Sequence, residues 1–232
     1  KTQGTGDRSV NKDLGFTRAH HVMLSYGFKI SDNMNMKIEP YFQQLYDVPV
    51  IADSSYSVLN RRDFYVENAL VNRGKGRNIG VDITLERYLN KGLYYMVTAS
   101  IFDSKYYGGD RKWRNTLYNR NFIINVLGGK EWMVGRDKQN MFSVNFKITL
   151  QGGDRYAPVD EVATLLDPDR EVQYDETKAF SKQFSPMFIT NFSVGYKINR
   201  KKVSHEFSIK SLNTTGCEEY YGHEYNFKTD KI

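Results

Sequence analysis

The sequence predicts an all-β fold, an antiparallel transmembrane β-barrel segment of about eight long strands. Three observations favour it. Apolar and polar residues alternate in eight segments, tight polar turns alternate with long connections, and 14% of the 232 residues are aromatic, with 17 Tyr and 14 Phe. No apolar run approaches the roughly 20 residues that a membrane-spanning helix needs. Residues 1–232 are expected to form one unit of this kind.

The eight segments are expected to pair in sequence order. The first pair covers 22–30 and 34–42, the second 79–85 and 93–101, the third about 121–134 and 142–150, and the fourth 188–198 and 203–209. Tight turns at Asp32, Lys91, Asp137 and Lys201 join the members of each pair, and connections at 46–77, 104–120 and 151–184 separate the pairs. Outer-membrane barrels have short periplasmic turns and longer extracellular loops, so the turns are assigned to the periplasm and the connections to the exterior.

Charge is expected on one face of these strands only. The face opposite the apolar one carries Lys29, Glu39, Asp82, Glu86, Lys147, Lys197, Glu206 and Lys210. We expect no charge on the apolar face away from the strand ends, because Lys or Arg facing lipid at mid-bilayer costs about 2–4 kcal/mol. Pro40 inside a strand pattern predicts a β-bulge there. A soluble sandwich would show the same alternation, so this class stays open.

Other functional classes find little support in the residues. The net charge of +6 is scattered, which argues against nucleic acid as a partner. A single Cys217 forms no internal disulfide, and adjacent His20 and His21 point to opposite strand faces, so no metal site or cofactor is expected. The glycines of 74–80 have the wrong spacing for a phosphate-binding loop and are interpreted as a flexible connection.

Short phrases in an ordered series resemble the C-terminal barrel region of TonB-dependent receptors of the Bacteroidota type, a large group of outer-membrane importers. The resemblance covers nearly the whole chain, and only the ordered series, rather than any one phrase, is specific. The phrases lie at 11–14, 18–21, 39–42, 48–50, 80–86, 102–106, 114–116, 128–132, 152–155 and 158–160.

The resemblance implies a bacterial outer-membrane barrel, usually of 22 strands, whose lumen is closed by a plug domain that contacts TonB. The chain starts at Lys1 without an initiating Met and stops at Lys231-Ile232 without an aromatic-terminated last strand. We therefore expect a piece of a larger receptor, with the plug, the early strands and the closing strand outside it. The implied partners are outer-membrane lipid, the receptor's own plug and, through the plug, TonB.

The implied function is energy-coupled uptake of a nutrient such as a siderophore, vitamin, peptide or glycan, with no enzymatic step. Aromatic residues near the outer strand ends are interpreted chiefly as an interfacial girdle; they are Tyr106, Tyr107, Trp113, Tyr118, Trp132, Tyr156, Tyr220 and Tyr221. The candidate ligand-binding residues in the extracellular loops are Tyr106, Tyr107, Arg111, Trp113, Asp154, Arg155 and Tyr156.

Two other classes of function remain. The first is a soluble or small-barrel β module that binds carbohydrate or acts in adhesion. The second, an outer-membrane hydrolase, is disfavoured because no Ser, His and Asp fall in one loop cluster.

Overall fold

The computed structural model describes residues 10–61, 66, 68–169, 171–220, 222–226 and 229. It confirms an all-β fold built on one large antiparallel sheet. The strands are β1 (Arg18–Met23), β2 (Tyr26–Ser31), β3 (Met34–Val50), β4 (Val71–Asn90), β5 (Leu93–Tyr107), β6 (Trp113–Asn115), β7 (Phe122–Val134), β8 (Asn140–Gln151), β9 (Arg155–Tyr156), β10 (Lys182–Gln183), β11 (Met187–Asn199) and β12 (Ser204–Ser211). One α-helix, α1 (Glu161–Leu166), and 3₁₀ turns at Val58–Asn60 and Glu176–Lys178 complete the described elements.

The large sheet follows the chain almost in order. Its strands run β1–β3–β4–β5–β7–β8–β11–β12, with β2 beside β3 and β6 beside β5, while β9 and β10 form a separate pair. This agrees with eight segments joined by four tight turns, when β1 and β2 are counted as one interrupted strand. Over the residues that the structure describes, the sheet does not close on itself, and every residue of β1, β2 and β12 is exposed. No helix in the described residues is both long and apolar enough to cross a membrane.

Pro40 explains the interruption between β1 and β2. Leu24 lies opposite Pro40 and donates its N–H to the Pro40 carbonyl at 3.1 Å, but Pro40 has no N–H to return. The ladder therefore breaks at Leu24 and Ser25, and the predicted continuous strand at 22–30 is wrong at this point. The predicted bulge at Pro40 is also wrong, since Pro40 pairs with Val81 in unbroken register on its other side.

Strands β3, β4 and β5 extend further into the connections than the sequence predicts. β3 continues to Val50, and β4 begins at Val71. The register between these two strands shifts around Asp47, whose φ is 54°. A Cβ on Gly74 would lie 2.5 Å from Val50 Cγ1, so this glycine permits a close packing contact. The predicted loops at 46–77 and 104–120 are too long, and the flexible-loop interpretation of 74–80 is wrong.

The two faces of the sheet differ sharply in polarity. One register row across six strands is wholly apolar, and we call its side of the sheet the apolar face: Ile38, Ile83, Ala99, Ile124, Leu150 and Phe188. The next row belongs to the opposite side, the polar face, and is mostly polar: Glu39, Asp82, Ser100, Ile123, Gln151 and Met187. Large apolar side chains stay exposed on the apolar face, where Ile101 is 57% and Ile209 80% accessible. The sheet is thus a single layer with an uncovered apolar surface.

Within the predicted segments, one cation departs from the expected separation of charge. Lys130 lies on the apolar face, opposite Leu93 and Val144, in the interior of β7. Its Nζ donates to the Lys91 carbonyl at 2.7 Å, at the turn between β4 and β5. The expectation of no internal charge on this face is therefore wrong at Lys130, where the flexible stem carries the ammonium to a turn. On the longer strands that the structure shows, Arg77 and Lys105 also lie on this face, toward the loop end.

The buried core sits at the loop end of the sheet rather than under its centre. Among the described residues, the buried side chains are Val48, Val50, Ser55, Ser57, Tyr106, Thr116, Leu117, Asn119, Asp154, Ala157, Thr164, Ala179, Met187 and Thr190. They come from the strand ends and from three connections, 51–61, 108–121 and 152–186 (residue 170 excepted), which we call the loop cap. The cap is a packed structure and not a set of independent loops.

The turn between β4 and β5 requires glycine. Lys91 and Gly92 have φ of 50° and 76°, the signature of a two-residue hairpin turn. A Cβ on Gly92 would lie 2.2 Å from the Glu131 carbonyl oxygen, whereas Gly216, with φ of 62°, has nothing within 4 Å.

We expect Gly92→Ala to lower the free energy of unfolding by about 1–3 kcal/mol more than Gly216→Ala. Both variants strain the backbone at a positive φ, but only the alanine at position 92 also clashes with a neighbouring strand. Equilibrium denaturant titration measures both. Equal losses would contradict the close approach of β7.

Candidate functional site

Asn119 organises the loop cap. Its side chain is fully buried; its Oδ1 accepts from the Ser104 N–H at 3.0 Å, and its Nδ2 donates to Asp103 Oδ1 at 2.9 Å and Asn115 Oδ1 at 3.0 Å. Its carbonyl accepts from Arg155 Nε at 2.8 Å. The side chain and the carbonyl of this single residue therefore connect β5, the 108–121 connection and the start of the 152–186 connection.

Charged side chains hold the same connections together. Arg120 Nε lies 2.7 Å from Asp154 Oδ1, and both side chains are largely buried. Arg155 also donates to Asn121 Oδ1 at 2.6 Å. Removing one partner of a buried pair leaves an uncompensated charge, which makes this cluster a structural requirement of the cap.

A second ion pair fixes the hairpin that carries β6. Arg114 donates to both carboxylate oxygens of Asp110, at 2.8 and 2.5 Å, and to the Thr177 carbonyl. Hydrogen bonds from Arg114 hold the pKa of the Asp110 carboxyl below its ordinary value. The pair therefore stabilises the hairpin at neutral pH, and its contribution is lost as the pH falls through the lowered pKa of Asp110.

A hydrogen bond joins the first connection of the loop cap to the third. Ser55 Oγ donates to Glu176 Oε2 at 2.9 Å.

Aromatic rings stack where the small β9–β10 sheet meets the C-terminal segment. Tyr156 and Phe184 stack with centroids 4.3 Å apart, and His223 lies 4.8 Å from Tyr156. Tyr220 also stacks with Phe184, with ring centroids 6.1 Å apart. Tyr220 is 53% exposed, so the stack reaches the surface.

A concave surface near the cap lies on the polar face. It is a groove of about 480 Å³, and we call it the inner groove. Its lining comes from five parts of the chain: His21, Met23, Tyr41, Gln43, Asn78, Asp82, Phe102, Ser104 and Tyr118. Its size falls in the range of small-molecule sites, and it combines rings with a few polar groups.

The polar groups of the inner groove are oriented by one another. Asn78 Nδ2 donates to Gln43 Oε1 at 2.7 Å, and Ser104 Oγ donates to Asn78 Oδ1 at 2.6 Å. Asp82 accepts from Ser100 Oγ at 2.6 Å. These contacts leave further donor and acceptor capacity on the amides and the carboxylate, as a hydroxylated or amide-bearing ligand requires.

Glycine makes room for the ring of Tyr41 in this groove. A Cβ on Gly80 would lie 2.6 Å from the Tyr41 hydroxyl oxygen, so the ring lies across the glycine backbone. His21 contacts the same ring edge-on at 6.4 Å, while His20 contacts Tyr46 on the other face. The expectation that the two histidines point to opposite faces is confirmed. No cluster of three or more metal-ligating side chains occurs in the described residues.

The candidate ligand-binding residues from the sequence separate into different environments. Tyr107 and Trp113 form a ring pair at 5.5 Å on the apolar side of the sheet, and Arg111 is exposed at the hairpin tip with φ of 62°. Tyr106 is fully buried against Phe180, so its side chain supports the cap and presents no surface to a ligand.

The remaining three candidates lie together in the cap. Asp154 and Arg155 take part in the buried polar network, and Tyr156 belongs to the aromatic stack. From the girdle set, Tyr118 lines the inner groove and Tyr221 lies outside the described residues.

Sequence reasoning missed the inner groove because its residues are spread over separate strands. The available signal was the alternation itself. It places three pairs of residues on the polar face at one end of the sheet: Tyr41 and Gln43, Asn78 and Asp82, and Phe102 and Ser104.

In comparisons with protein-family models, with curated proteins and with solved structures, nothing matches the chain significantly. Function is therefore inferred from the residues and their arrangement.

We expect Asn119→Ala to loosen the cap, because the variant leaves the Ser104 N–H and the Asp103 and Asn115 oxygens without this partner. Loss of a buried hydrogen-bonded group costs about 1–3 kcal/mol per group left unsatisfied. Amide hydrogen exchange should speed up at 108–121 and 152–157.

The matched control is Asn125→Ala, which removes the hydrogen bond from Thr149 and a longer contact with Thr98 in the middle of the sheet. It should leave exchange in the cap unchanged. Similar exchange in both variants would show that Asn119 has no special role.

Proposed function

We propose that the chain forms part of the wall of a bacterial outer-membrane β-barrel, in a TonB-dependent, energy-coupled receptor for nutrient uptake. The observation that carries the proposal is the uncovered apolar face of a single-layer sheet. Soluble monomers rarely expose contiguous apolar patches beyond a few hundred Å². Lipid acyl chains cover such a face without a second protein layer.

The height of the apolar face supports a membrane environment. On β11 the outward positions run from Phe188 to Ile198, ten steps along the strand. Ten steps correspond to about 33 Å, and at a barrel tilt of about 40° they span about 25 Å normal to the membrane. This equals the apolar band of outer-membrane barrels, at about 25 Å.

The open edges and the asymmetric ends fit the same proposal. Exposed β1, β2 and β12 present unpaired backbone groups, which in a bilayer must pair with further strands. Tight turns at one end and the loop cap at the other match a periplasmic and an extracellular side. The polar face would then line the lumen and contact the receptor's plug domain, through which TonB acts.

The inner groove supports a role in ligand capture. It lies on the polar face beside the loop cap, where a nutrient entering from outside would first meet the wall. Rings such as Tyr41 and Tyr118 with amides such as Asn78 suit a polar organic ligand, and the nutrient class could be a siderophore, vitamin, peptide or glycan. No residue of the groove is assigned a chemical step.

A second candidate is a soluble or small-barrel β module that binds carbohydrate or acts in adhesion. The observation that favours it is the same groove, since aromatic rings with amide partners also suit sugars. In that case another protein layer, rather than lipid, covers the apolar face.

The two tryptophans separate these candidates. Trp113 lies at the loop end of the apolar side and Trp132 at the turn end, opposite Phe142, and each is more than 40% exposed. We expect Trp132→Phe and Trp113→Phe, each leaving one tryptophan, to show fluorescence quenching in vesicles of brominated phospholipid.

Bromines near the headgroup should quench both tryptophans more than bromines at the acyl-chain ends, because both lie at interfaces. A protein that is monodisperse without detergent and shows no quenching at any bromine depth would contradict the membrane proposal and favour the soluble module.

Neighbouring residues on β5 give a second test. Val97 lies on the apolar face between Leu85 and Val126, while Thr98 lies on the polar face between Thr84 and Asn125. We expect Val97→Arg to lower the free energy of unfolding from vesicles by about 2–4 kcal/mol, because it places a cation in lipid.

Thr98→Arg adds the same side chain to the polar face and should cost less than about 1 kcal/mol, as for a lumen substitution. Denaturant titration in vesicles measures both. Equal tolerance of the two arginines would contradict lipid contact at Val97.

A further inference from the structure

A column of cations continues the apolar face of β4 toward the loop end. Arg73, Lys75 and Arg77 are exposed, while the glycines between them, Gly74 and Gly76, are buried. Ile79, the next outward residue, is 50% exposed. From Ile79 to Lys75 the strand therefore changes from apolar to basic without changing the face that it presents, and Arg73 follows at a shift of register.

Two rings, one on β5 and one on β6, accompany these cations. Lys75 Nζ lies 5.8 Å from the ring centroid of Tyr107, and the Arg77 guanidinium carbon lies 5.4 Å from that of Trp113. These are cation–π distances, and they hold both cationic groups beside amphipathic rings. We call Arg73, Lys75, Arg77, Tyr107 and Trp113 the basic–aromatic patch.

The charge of the patch is not neutralised within the described residues. The nearby cations Arg18 and Lys105 are each paired, with Asp47 and Asp103 respectively. Arg73, Lys75 and Arg77 form no ion pair in the described part of the chain, so three positive charges remain. Surface cations are common, but three on one column directly beyond an apolar face would be stabilised together by negative charge at the border of that face.

The height of the patch matches the headgroup layer. The polar zone extends about 5–7 Å beyond each side of the hydrocarbon core. Each pair of residues rises about 5 Å along the membrane normal at a tilt of about 40°. If Ile79 marks the edge of the hydrocarbon, Arg77 lies about 5 Å above it, inside the polar zone. Lys75, about 10 Å above it, returns to that zone with its long side chain, and Arg73, about 15 Å above it, adds positive charge from just outside the zone.

We propose that the basic–aromatic patch binds the phosphate groups of anionic lipids in the leaflet next to the loop cap, an inference that rests on the proposed membrane function. Lipid phosphate suits the patch because the cations lie on the surface that continues the apolar face, not in a cleft. Arginine matches phosphate oxygens with paired donors, and Trp and Tyr rings prefer the headgroup level.

Selective quenching of Trp113 tests the proposal. The probe is the Trp132→Phe protein in bilayers of equal parts phosphatidylglycerol and phosphatidylcholine, with bromine on one lipid at a time. Each basic residue near an anionic surface contributes appreciably to lipid attraction. We therefore expect brominated phosphatidylglycerol to be preferred beside Trp113 by at least about fivefold, and the preference to fall in 1 M salt, where the screening length is about 3 Å.

Two matched triple variants test whether the preference for phosphatidylglycerol arises at the basic–aromatic patch. Arg73→Gln, Lys75→Gln and Arg77→Gln together should bring the ratio to about one, because they remove the unneutralised charges. Lys147→Gln, Lys197→Gln and Lys210→Gln make the same change in net charge on the polar face and should leave the preference intact.

The outcomes separate the two proposals. Equal quenching by both lipids in the parent protein would overturn the lipid site while leaving membrane insertion in place. An equal loss of preference in both triple variants would show a bulk charge effect and also overturn the site. Absence of quenching by either lipid would instead contradict the membrane function itself.

Discussion

The unequal polarity of the two faces is the constraint on which the rest of the structure depends. A sheet of one layer satisfies its backbone hydrogen bonds between neighbouring strands, except at its edges, but it buries few side chains. Its stability therefore depends on what covers the apolar face, and in the proposed setting that is lipid. The polar face is then free to carry amides, hydroxyls and carboxylates, and these form the inner groove.

In the loop cap, backbone groups outside the strand ladders must also find hydrogen-bond partners. Its segments have few ladder partners, so their backbone groups are satisfied by side chains, most completely around Asn119 and Arg155. Hydrogen bonds of this kind, in a partly dry environment, specify one arrangement because any other leaves polar groups unpaired. The loop cap thus forms a rigid border beside the inner groove and holds exposed groups such as Tyr118 in place.

The sequence predicted the repeating parts of the fold better than the exceptions. Strict alternation identified the eight segments and their turns, because a period of two leaves each strand one choice of face. It could not place the shift at Asp47 or the break opposite Pro40, since both depend on the neighbouring strand. The candidate site residues were chosen by chemical type in the loops, and type alone does not distinguish buried Tyr106 from exposed Trp113. The inner groove brings together positions up to about a hundred residues apart, which alternation alone does not specify.

The hydrogen bond between Ser55 and Glu176 has a consequence for the order of folding. It joins residues 121 positions apart, whereas most strands of the sheet pair with their immediate successors in the sequence. Contacts of short separation form early, because little chain entropy is lost in closing them. The sheet can therefore grow hairpin by hairpin, and the first and third connections of the loop cap join only after the later strands are in place. Formation of this contact in the loop cap then shows that the intervening strands have assembled in register.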